Sequence, residues 1–490
     1  MLTIQEIKSF IDSDAASAKK RNARVGLRYY EGDHDIKSFR VFFIDAEGNP
    51  QEDKTKSNIK ISHPFFKILA DQEVQYILSG DGGIFKSDIP ELQAELDARF
   101  NNNDEFMAEL YEVILGCIVK GTEYMYAYKD AEGRTAFQCA DSMGIIEVRA
   151  KETDDGCEYV IYWHVDRIGK GDKAIKRIQV WDSKQVYFYC QEGEGNITID
   201  DTVERNPRPH AIYKKDGDDA TYFEDFGFVP FFRLDNNKKQ QSGIVPIKDK
   251  IDSYDLMNCG LANNIQDTNE ALYVVKGFQG DNLDELMLNI KAKKHIGVDE
   301  DGGVEIHTID IPYEARKIKM EIDEKNIFRF GMGVNTESLK DTSATVSVAI
   351  KSAYANLDLK CNGFTKGLKK FFGKLLKPVL AEINDEQETD YQLKDVWFDL
   401  EREIITNAQE NAQIKLIEAQ KKQTEINTLL NLAPHLDNET LMELVFEQLD
   451  LNYEDYKDKL PDPDEAQTVL TDAQAVLNKS PVEPVGGDVI

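Results

Sequence analysis

Positive charge is scarce in this sequence: 59 Lys and Arg stand against 90 Asp and Glu, a formal net charge of −31 over 490 residues. Such a surface repels free nucleic acid and excludes ordinary DNA binding as the default reading. One arrangement escapes that exclusion, because a wall past which DNA must slide without sticking gains from being acidic. Cysteine is sparse too. Cys117, Cys139, Cys157, Cys190, Cys259 and Cys361 lie far apart with no C-x-x-C pair. That excludes a zinc knuckle or disulfide frame and fits reduced thiols in a cytoplasmic product. No apolar run approaches the ~20 residues that cross a bilayer, so no membrane partner is expected. The opening MLTIQEIKSF lacks a basic-then-apolar layout, which sets the expectation of a protein that is not exported.

Catalytic signatures are missing as well. The chain contains no G-x-x-x-x-G-K-[ST], H-E-x-x-H, G-x-S-x-G or Rossmann fingerprint. Its histidines, at 34, 63, 164, 210, 295, 307 and 435, are scattered. His295 and His307 can face each other across a hairpin, but surface histidines are expected rather than a metal pair. Asp299-Glu300-Asp301-Gly302-Gly303 resembles part of a calcium loop without its terminal Glu, so a β-turn is expected. No cofactor, metal site or catalytic residue is expected. Carboxylates are too abundant for any pair to signal catalysis.

What is present is a globular composition, 41% hydrophobic and 30% charged, on a chain long enough for several cores. Thr3-Ile-Gln-Glu6 is a capping box that opens a helix carrying Ile7, Phe10 and Ile11. Lys19, Lys20, Arg21, Arg24 and Arg28 read as a solvated helix face. Further helices are predicted after Ser62-His-Pro64, from Pro90, and over 105–120. From Tyr124 to about Phe232, short Tyr-, Val- and Ile-rich runs alternate with turns, an antiparallel meander whose aromatics read as core and cross-strand pairs. Residues 244–269 form an amphipathic helix with Asp249, Asp252, Asp255, Asn263, Asn264 and Asp267 on its polar face.

A compact insert follows: a strand over 271–278, a helix over 283–294 and a hairpin turning at Asp301-Gly302-Gly303. About 40 residues cannot bury a large core alone, so the insert is expected to lean on a neighbour or on copies of itself. Pro312 opens another helix. Gly331 and Gly333 then read as the hinge of a polar loop. A helix of ~35 residues, about 50 Å long, comes next. A strand over 390–402 and a helical region over 404–451 complete the pattern. The class is α+β.

This order of parts is similar to that of the portal proteins of tailed bacteriophages, the siphophage type. RYYEGDHDI (28–36), NIKISHPFFKILADQEVQYILSG (58–80), VPFFRLDNN (229–237), IVPIKDKIDSYD (244–255) and SAYANLDLKCNGF (352–364) resemble that family's segments. The resemblance covers roughly residues 20–400. It implies a non-enzymatic ring of about 12 subunits, at one capsid vertex, through which double-stranded DNA is packaged and ejected.

Residues 1–243 would be the wing, 244–269 a stem helix, 270–311 the clip, 312–331 the second stem helix and 332–345 the tunnel loop. Residues 346–403 would be the long helix and wing return, 404–460 the crown, and 461–490 a flexible acidic tail. The implied channel-lining stem residues are Asp252, Asp255, Asn263 and Asp267. In the tunnel loop, Asn335, Thr336, Ser338, Lys340, Asp341, Thr342 and Ser343 would touch phosphates lightly. The plain alternative is a surface connection capped by Asp341, Thr342 or Ser343. Clip residues Asp281, Asn282, Glu285, Asp299 and Asp301 would dock the large terminase and then the head-completion adaptor. The remaining implied partners are copies of the chain itself, the major capsid protein and the scaffolding protein, in the virion and, during assembly, in the host cytoplasm. Competing readings are another phage head or connector component, or an enzyme with a lid at 270–311.

Overall fold

A computed structural model of the chain describes residues 1–267 apart from 55, 81, 150–156, 168–173 and 215–219. It further describes 272–278, 298–307, 313–335, 347–402, 408–431, 438–448 and 453. Helices and antiparallel strands are mixed, as the α+β reading expects. The chain divides into two units, Met1–Ile405 and Thr406–Ile490.

The first unit begins with helix α1 (Ile4–Ala15), whose capping box between Thr3 and Glu6 is formed. Helix α2 (Ala18–Tyr30) follows. The expected solvated basic face is corrected at Lys20. That side chain is buried, ion-pairs with Asp14 at 3.1 Å, and donates to the carbonyls of Ser142 and Ile145. Arg21 and Arg24 stay exposed. An exposed hairpin of β1 (Phe42–Ile44) and β2 (Pro50–Glu52) comes next. Helix α3 (Phe65–Ile77) starts just after Pro64. Strand β3 (Phe85–Lys86) precedes α4 (Pro90–Leu96), which has proline at its first turn, and α5 (Asp104–Lys120), which Gly121 ends with φ of 95°.

The meander forms two sheets. Strand β4 (Thr122–Lys129) pairs with β5 (Thr135–Ala140). Strands β6 (Ile145–Val148), β7 (Tyr159–Arg167), β8 (Ala174–Trp181), β9 (Gln185–Glu192) and β10 (Thr198–Ile199) lie in sequence order, and β11 (Arg208–Pro209) also pairs with β9. Alternation decides the two faces of this sheet. Ile146, Ile161, Ile178 and Tyr187 pack under Ile7 and Ile11 of α1, while Ile145, Val160, Val186 and Phe188 pack with Trp181 on the other side. Strands β12 (Ala211–Tyr213) and β13 (Tyr222–Glu224) form a hairpin, and β14 (Phe231–Asp235) returns to pair with β4. Tyr126 stacks on its cross-strand neighbour Phe231 at 5.7 Å, so the aromatics are structural, as expected.

Helices α6 (Lys248–Asp267) and α7 (Tyr313–Gly331) flank strands β15 (Leu272–Phe278) and β16 (Val298–His307). The expected hairpin at Asp301-Gly302-Gly303 is corrected: β16 runs through both glycines, with Gly303 opposite Lys276 and Val298 opposite Phe278. The sequence of turn residues is absorbed by an irregularity in the pairing after Lys276 rather than by a turn. The helix expected over 283–294 lies outside the described residues.

Helix α8 (Ser347–Gln387) is 41 residues long. Its stripe of Leu357, Cys361, Phe364, Leu368, Phe371, Leu375 and Val379 enters the main core with Leu69 and Val74 of α3 and Leu110 and Ile114 of α5. Each such burial contributes about 1.5–3 kcal/mol before entropy is counted. The C-terminal half of α8 is tied to the sheet by Glu382, which accepts from Lys129 at 2.6 Å and from the Thr135 amide at 3.0 Å. The expected strand over 390–402 shrinks to β17 (Trp397–Phe398), paired with β3. A short 3-10 turn at Leu393–Asp395 takes up its start, where the Asp395 carboxylate accepts from the Gln392 backbone amide at 2.8 Å. In the second unit, α9 (Ala408–Asn431) and α10 (Asn438–Gln448) are described.

Candidate functional site

The α6–α7 pair is antiparallel. Ser253 donates to Asp323 at 2.8 Å, Lys319 bridges both, and Gly260 lies against Arg316. A Cβ at Gly260 would stand 2.8 Å from the Arg316 Nη1. Asp323, Ile327 and Gly331 turn inward on α7, while Lys317, Ile318, Glu321, Ile322, Lys325 and Arg329 face outward.

Along another side of α6 runs an extended strap, residues 57–63. Its amides form a ladder: Ser57 donates to Asp267 at 3.1 Å, Ile59 to Asn263 at 2.6 Å, Ile61 to the Cys259 sulfur at 3.1 Å and His63 to Asp255 at 3.1 Å. Geometry explains the spacing. In extended chain every second amide points the same way, one per ~6.6 Å, and four helical residues rise ~6.0 Å. The two periods match closely enough for several rungs. Burial pushes the Cys259 thiol above its usual range, so it stays protonated and donates back to the Ile61 carbonyl at 3.4 Å.

Asp255 is the centre of this arrangement. Its side chain is fully buried, with His34 Nδ1 at 2.6 Å on one oxygen and His63 Nδ1 at 2.8 Å on the other. Burial alone raises a carboxyl pKa, but the hydrogen bonds from His34 and His63 outweigh it and hold Asp255 below its usual value. His34 stacks on Tyr29 at 4.4 Å, and its Nε2 lies 3.2 Å from the Tyr29 carbonyl. The Tyr29 hydroxyl reaches Asp252, which also accepts from Lys248 at 2.6 Å; Lys248 in turn meets Asp35 at 2.7 Å.

The expectation of an open acidic face on this helix is therefore corrected at Asp255, which is buried inside its own chain. The physical reason is that a strap of amides needs acceptors, and the polar residues at 255, 259, 263 and 267 are spaced to supply them. Asp252, Asn263 and Asp267 are half-buried and engaged by Tyr29, Lys248 and the strap.

The polar loop starts from a fixed base. Gln72 accepts from the Val334 amide at 3.2 Å and donates to its carbonyl at 2.9 Å. A Cβ on Gly333 would stand 2.1 Å from Leu69 Cδ2, and one on Gly331 2.7 Å from Leu69 Cδ1. Lys360 donates to the Gly331 carbonyl at 3.0 Å and pairs with buried Glu73 at 2.8 Å. Gly331 and Gly333 therefore allow close packing rather than a hinge, which corrects the flexible reading. Asn335 donates to Glu324 at 3.1 Å. Thr336, Ser338, Lys340, Asp341, Thr342 and Ser343 lie outside the described residues, as do Asp281, Asn282 and Glu285 of the insert. Asp299 and Asp301 fall within β16.

The sequence that builds these parts is matched in known proteins. The family model described as "Phage portal protein, SPP1 Gp6-like" matches residues 11–455. The chain belongs to that family. A portal protein of Bacillus phage SPP1 is 28% identical over 352 residues, 71% of this chain and 68% of the relative. A portal protein of Clostridium phage phiCD119 is 26% identical over 437 residues, 84% of this chain and 89% of the relative. A solved chain from the "Neck of native GTA particle computed with C12 symmetry" aligns with TM-score 0.43 and 10% identity, over 78% of this chain and 89% of that one.

The residues that hold the strap on α6 of this portal family member were not legible as a set. His34, His63 and Cys259 read as scattered and uninformative. The usable signal was the alternation Asn58-Ile59-Lys60-Ile61-Ser62 before Pro64, an extended run, facing polar residues at every fourth position of α6.

Proposed function

We propose that this chain builds the portal vertex of a phage capsid: a ring of about 12 copies around a channel for double-stranded DNA, structural rather than enzymatic. The observation that carries the reading is the family match across residues 11–455, which includes α6, the insert, α7, the loop and α8. In this reading 1–243 and the return after α8 are wing, α6 and α7 are stem, 270–311 is clip, 332–345 is tunnel loop and 404–460 is crown. The clip, with Asp281, Asn282, Glu285, Asp299 and Asp301, docks the terminase and afterwards the head-completion adaptor. Asp252, Asn263 and Asp267 hold the strap first, and any contact with passing DNA falls on the edge the strap leaves uncovered.

The loop supplies the light contact with DNA. Its base is pinned by Leu69, Gln72 and Lys360, and one Lys340 from each copy gives the ring a collar of single charges. The chain's net charge of −31 keeps DNA from sticking.

Electron microscopy and particle mass test the ring. A central hole and a particle of roughly 670 kDa, about 12 copies of 55.7 kDa, are expected. A monomer or dimer under all conditions overturns the reading. Lys340→Ala with a shortened loop is expected to leave rings intact and impair packaging or genome retention. Normal packaging and retention in that variant would remove the loop from the mechanism.

A further inference from the structure

Among the described residues, two exposed apolar patches lie near the helix pair, within about 8–14 Å of each other along it. The first is the β1–β2 hairpin, where Phe42, Phe43 and Ile44 are 60%, 49% and 75% exposed. An isolated two-stranded hairpin is marginal in water, so this one needs a partner to be firmly held. From Val41 to Asp53 it carries Asp45, Glu47, Glu52 and Asp53 and no Lys or Arg; Arg40, just outside, pairs with Glu52 at 3.4 Å.

The second patch is the outer face of α7. Ile318 and Ile322, one turn apart, are 53% and 48% exposed. Around them Lys317, Lys325 and Arg329 are exposed against two exposed carboxylates, Glu314 and Glu321, while Lys319 is taken up by Asp323. That outward excess of positive charge is unusual on a chain this acidic. It complements the acidic rim of the hairpin.

Height decides whether the two can meet. The root of the hairpin is fixed by the strap: Asn58 donates to the Phe39 carbonyl at 3.4 Å, beside the rungs at Asn263 and Asp267. Arg316 of α7 stands against Gly260. Ile318, two residues on from Arg316 in the antiparallel partner, stands level with about residue 258, so the hairpin root lies about 8–14 Å away along α6 at ~1.5 Å per residue, a distance within the reach of the chain from Phe39 to Ile44 at ~3.3 Å per residue. Around α6 the strap side and the α7 side are roughly 100° apart. Pure rotation about an axis parallel to the pair keeps height unchanged. A contact between neighbouring copies in a closed ring therefore joins unlike surfaces at equal height.

We propose that the β1–β2 hairpin of one copy seats on the outer face of α7 of the next copy. Phe42 and Ile44, which share one face of their strand, cover Ile318 and Ile322, and the hairpin carboxylates face Lys317, Lys325 and Arg329. The proposal rests on the ring reading and names the surfaces that close it.

Two double variants test it, each altering only exposed residues: Phe42→Asp with Ile44→Asp, and Ile318→Asp with Ile322→Asp. Particle mass is measured by mass photometry, and unchanged thermal midpoints by circular dichroism show that each variant folds. Wild-type chains are expected to form rings and each variant alone to stay monomeric. A one-to-one mixture is expected to give dimers and nothing larger, because one intact hairpin meets one intact α7 face. Rings from either variant overturn this interface and leave the ring reading standing. A wild-type chain that never assembles overturns both. A second measurement does not depend on the variants' folding. Ile44→Cys combined with Ile318→Cys in assembled rings, treated with a short bis-maleimide, is expected to give a ladder of linked chains on denaturing gels. No ladder beyond that of the variants carrying only one of the two new cysteines overturns the contact.

Discussion

Two faces of the same helix pair look alike in composition and differ in what they do. The polar face of α6 carries Asp252, Asp255, Asn263 and Asp267, and its own chain covers it. The outer face of α7 carries Ile318 and Ile322, and nothing described in the chain covers it. Polarity alone would have placed water on the first and packing on the second. The reversal teaches that a backbone in extended form is itself a polar ligand. Four amides that must be satisfied will claim a row of acceptors as firmly as an apolar strand claims a groove.

The largest break in this comparison comes from the covered face. Asp255→Ala leaves His34, His63 and a strap amide without their shared acceptor. Equilibrium urea unfolding is expected to show a loss of about 3–5 kcal/mol; a loss under 1 kcal/mol would mean that the strap is not held there. The pH dependence has a definite sign. Asp255 sits below its usual value of 3.8 in the folded chain. Its contribution is therefore fully present above about pH 4 and is lost as pH falls through the folded value. Buried Glu123 works the other way. Burial raises it to about 7 against the opposing pull of Lys120, so its charging costs stability as pH rises from about 4.5 to 7. Glu123→Gln is expected to flatten that part of a stability–pH curve.

Next in size is the base of the loop. Gly333→Ala pushes a methyl into Leu69, and about 1–3 kcal/mol of destabilisation is expected. Leu69→Ala in the same chain should recover part of it, so a double-mutant cycle that is strictly additive would remove Leu69 from the account. A single rung is smaller. Asn263→Ala is expected to cost about 0.5–1.5 kcal/mol and to speed amide exchange at Ile59, as read by hydrogen–deuterium exchange. The open face sits at the bottom of the scale for the lone chain. Ile318→Asp should change monomer stability by no more than about 0.5 kcal/mol, and a larger loss would show that α7's outer face already packs within its own chain.

Several elements could be read directly from local patterns. Thr3 and Glu6, Pro64 and Pro90 mark helix starts because capping and φ restrictions act over a few residues. The meander was readable from its alternation and the α8 stripe from its period, since both are set by which side faces apolar neighbours. Local patterns misled where a distant partner decides. Asp301-Gly302-Gly303 has the residues of a turn, yet pairing with β15 keeps it extended. Gly331 and Gly333 have the composition of a hinge, yet Leu69 and Gln72 make them a packed joint. Lys20 sits in a basic run, yet Ser142 and Ile145 offer it buried carbonyls.

By itself, then, the sequence determined the class, the order of helices and strands, the acidic surface and the family to which the order belongs. Those follow from short-range physics: periodicity, caps and net charge. Only the tertiary structure decided that Asp255 serves His34 and His63 instead of solvent, that the strap rides on α6, and that the hairpin and the α7 face are left uncovered. The first two depend on residues 192 to 221 positions apart, and no local spacing reports which distant amide or side chain will arrive to satisfy a given acceptor.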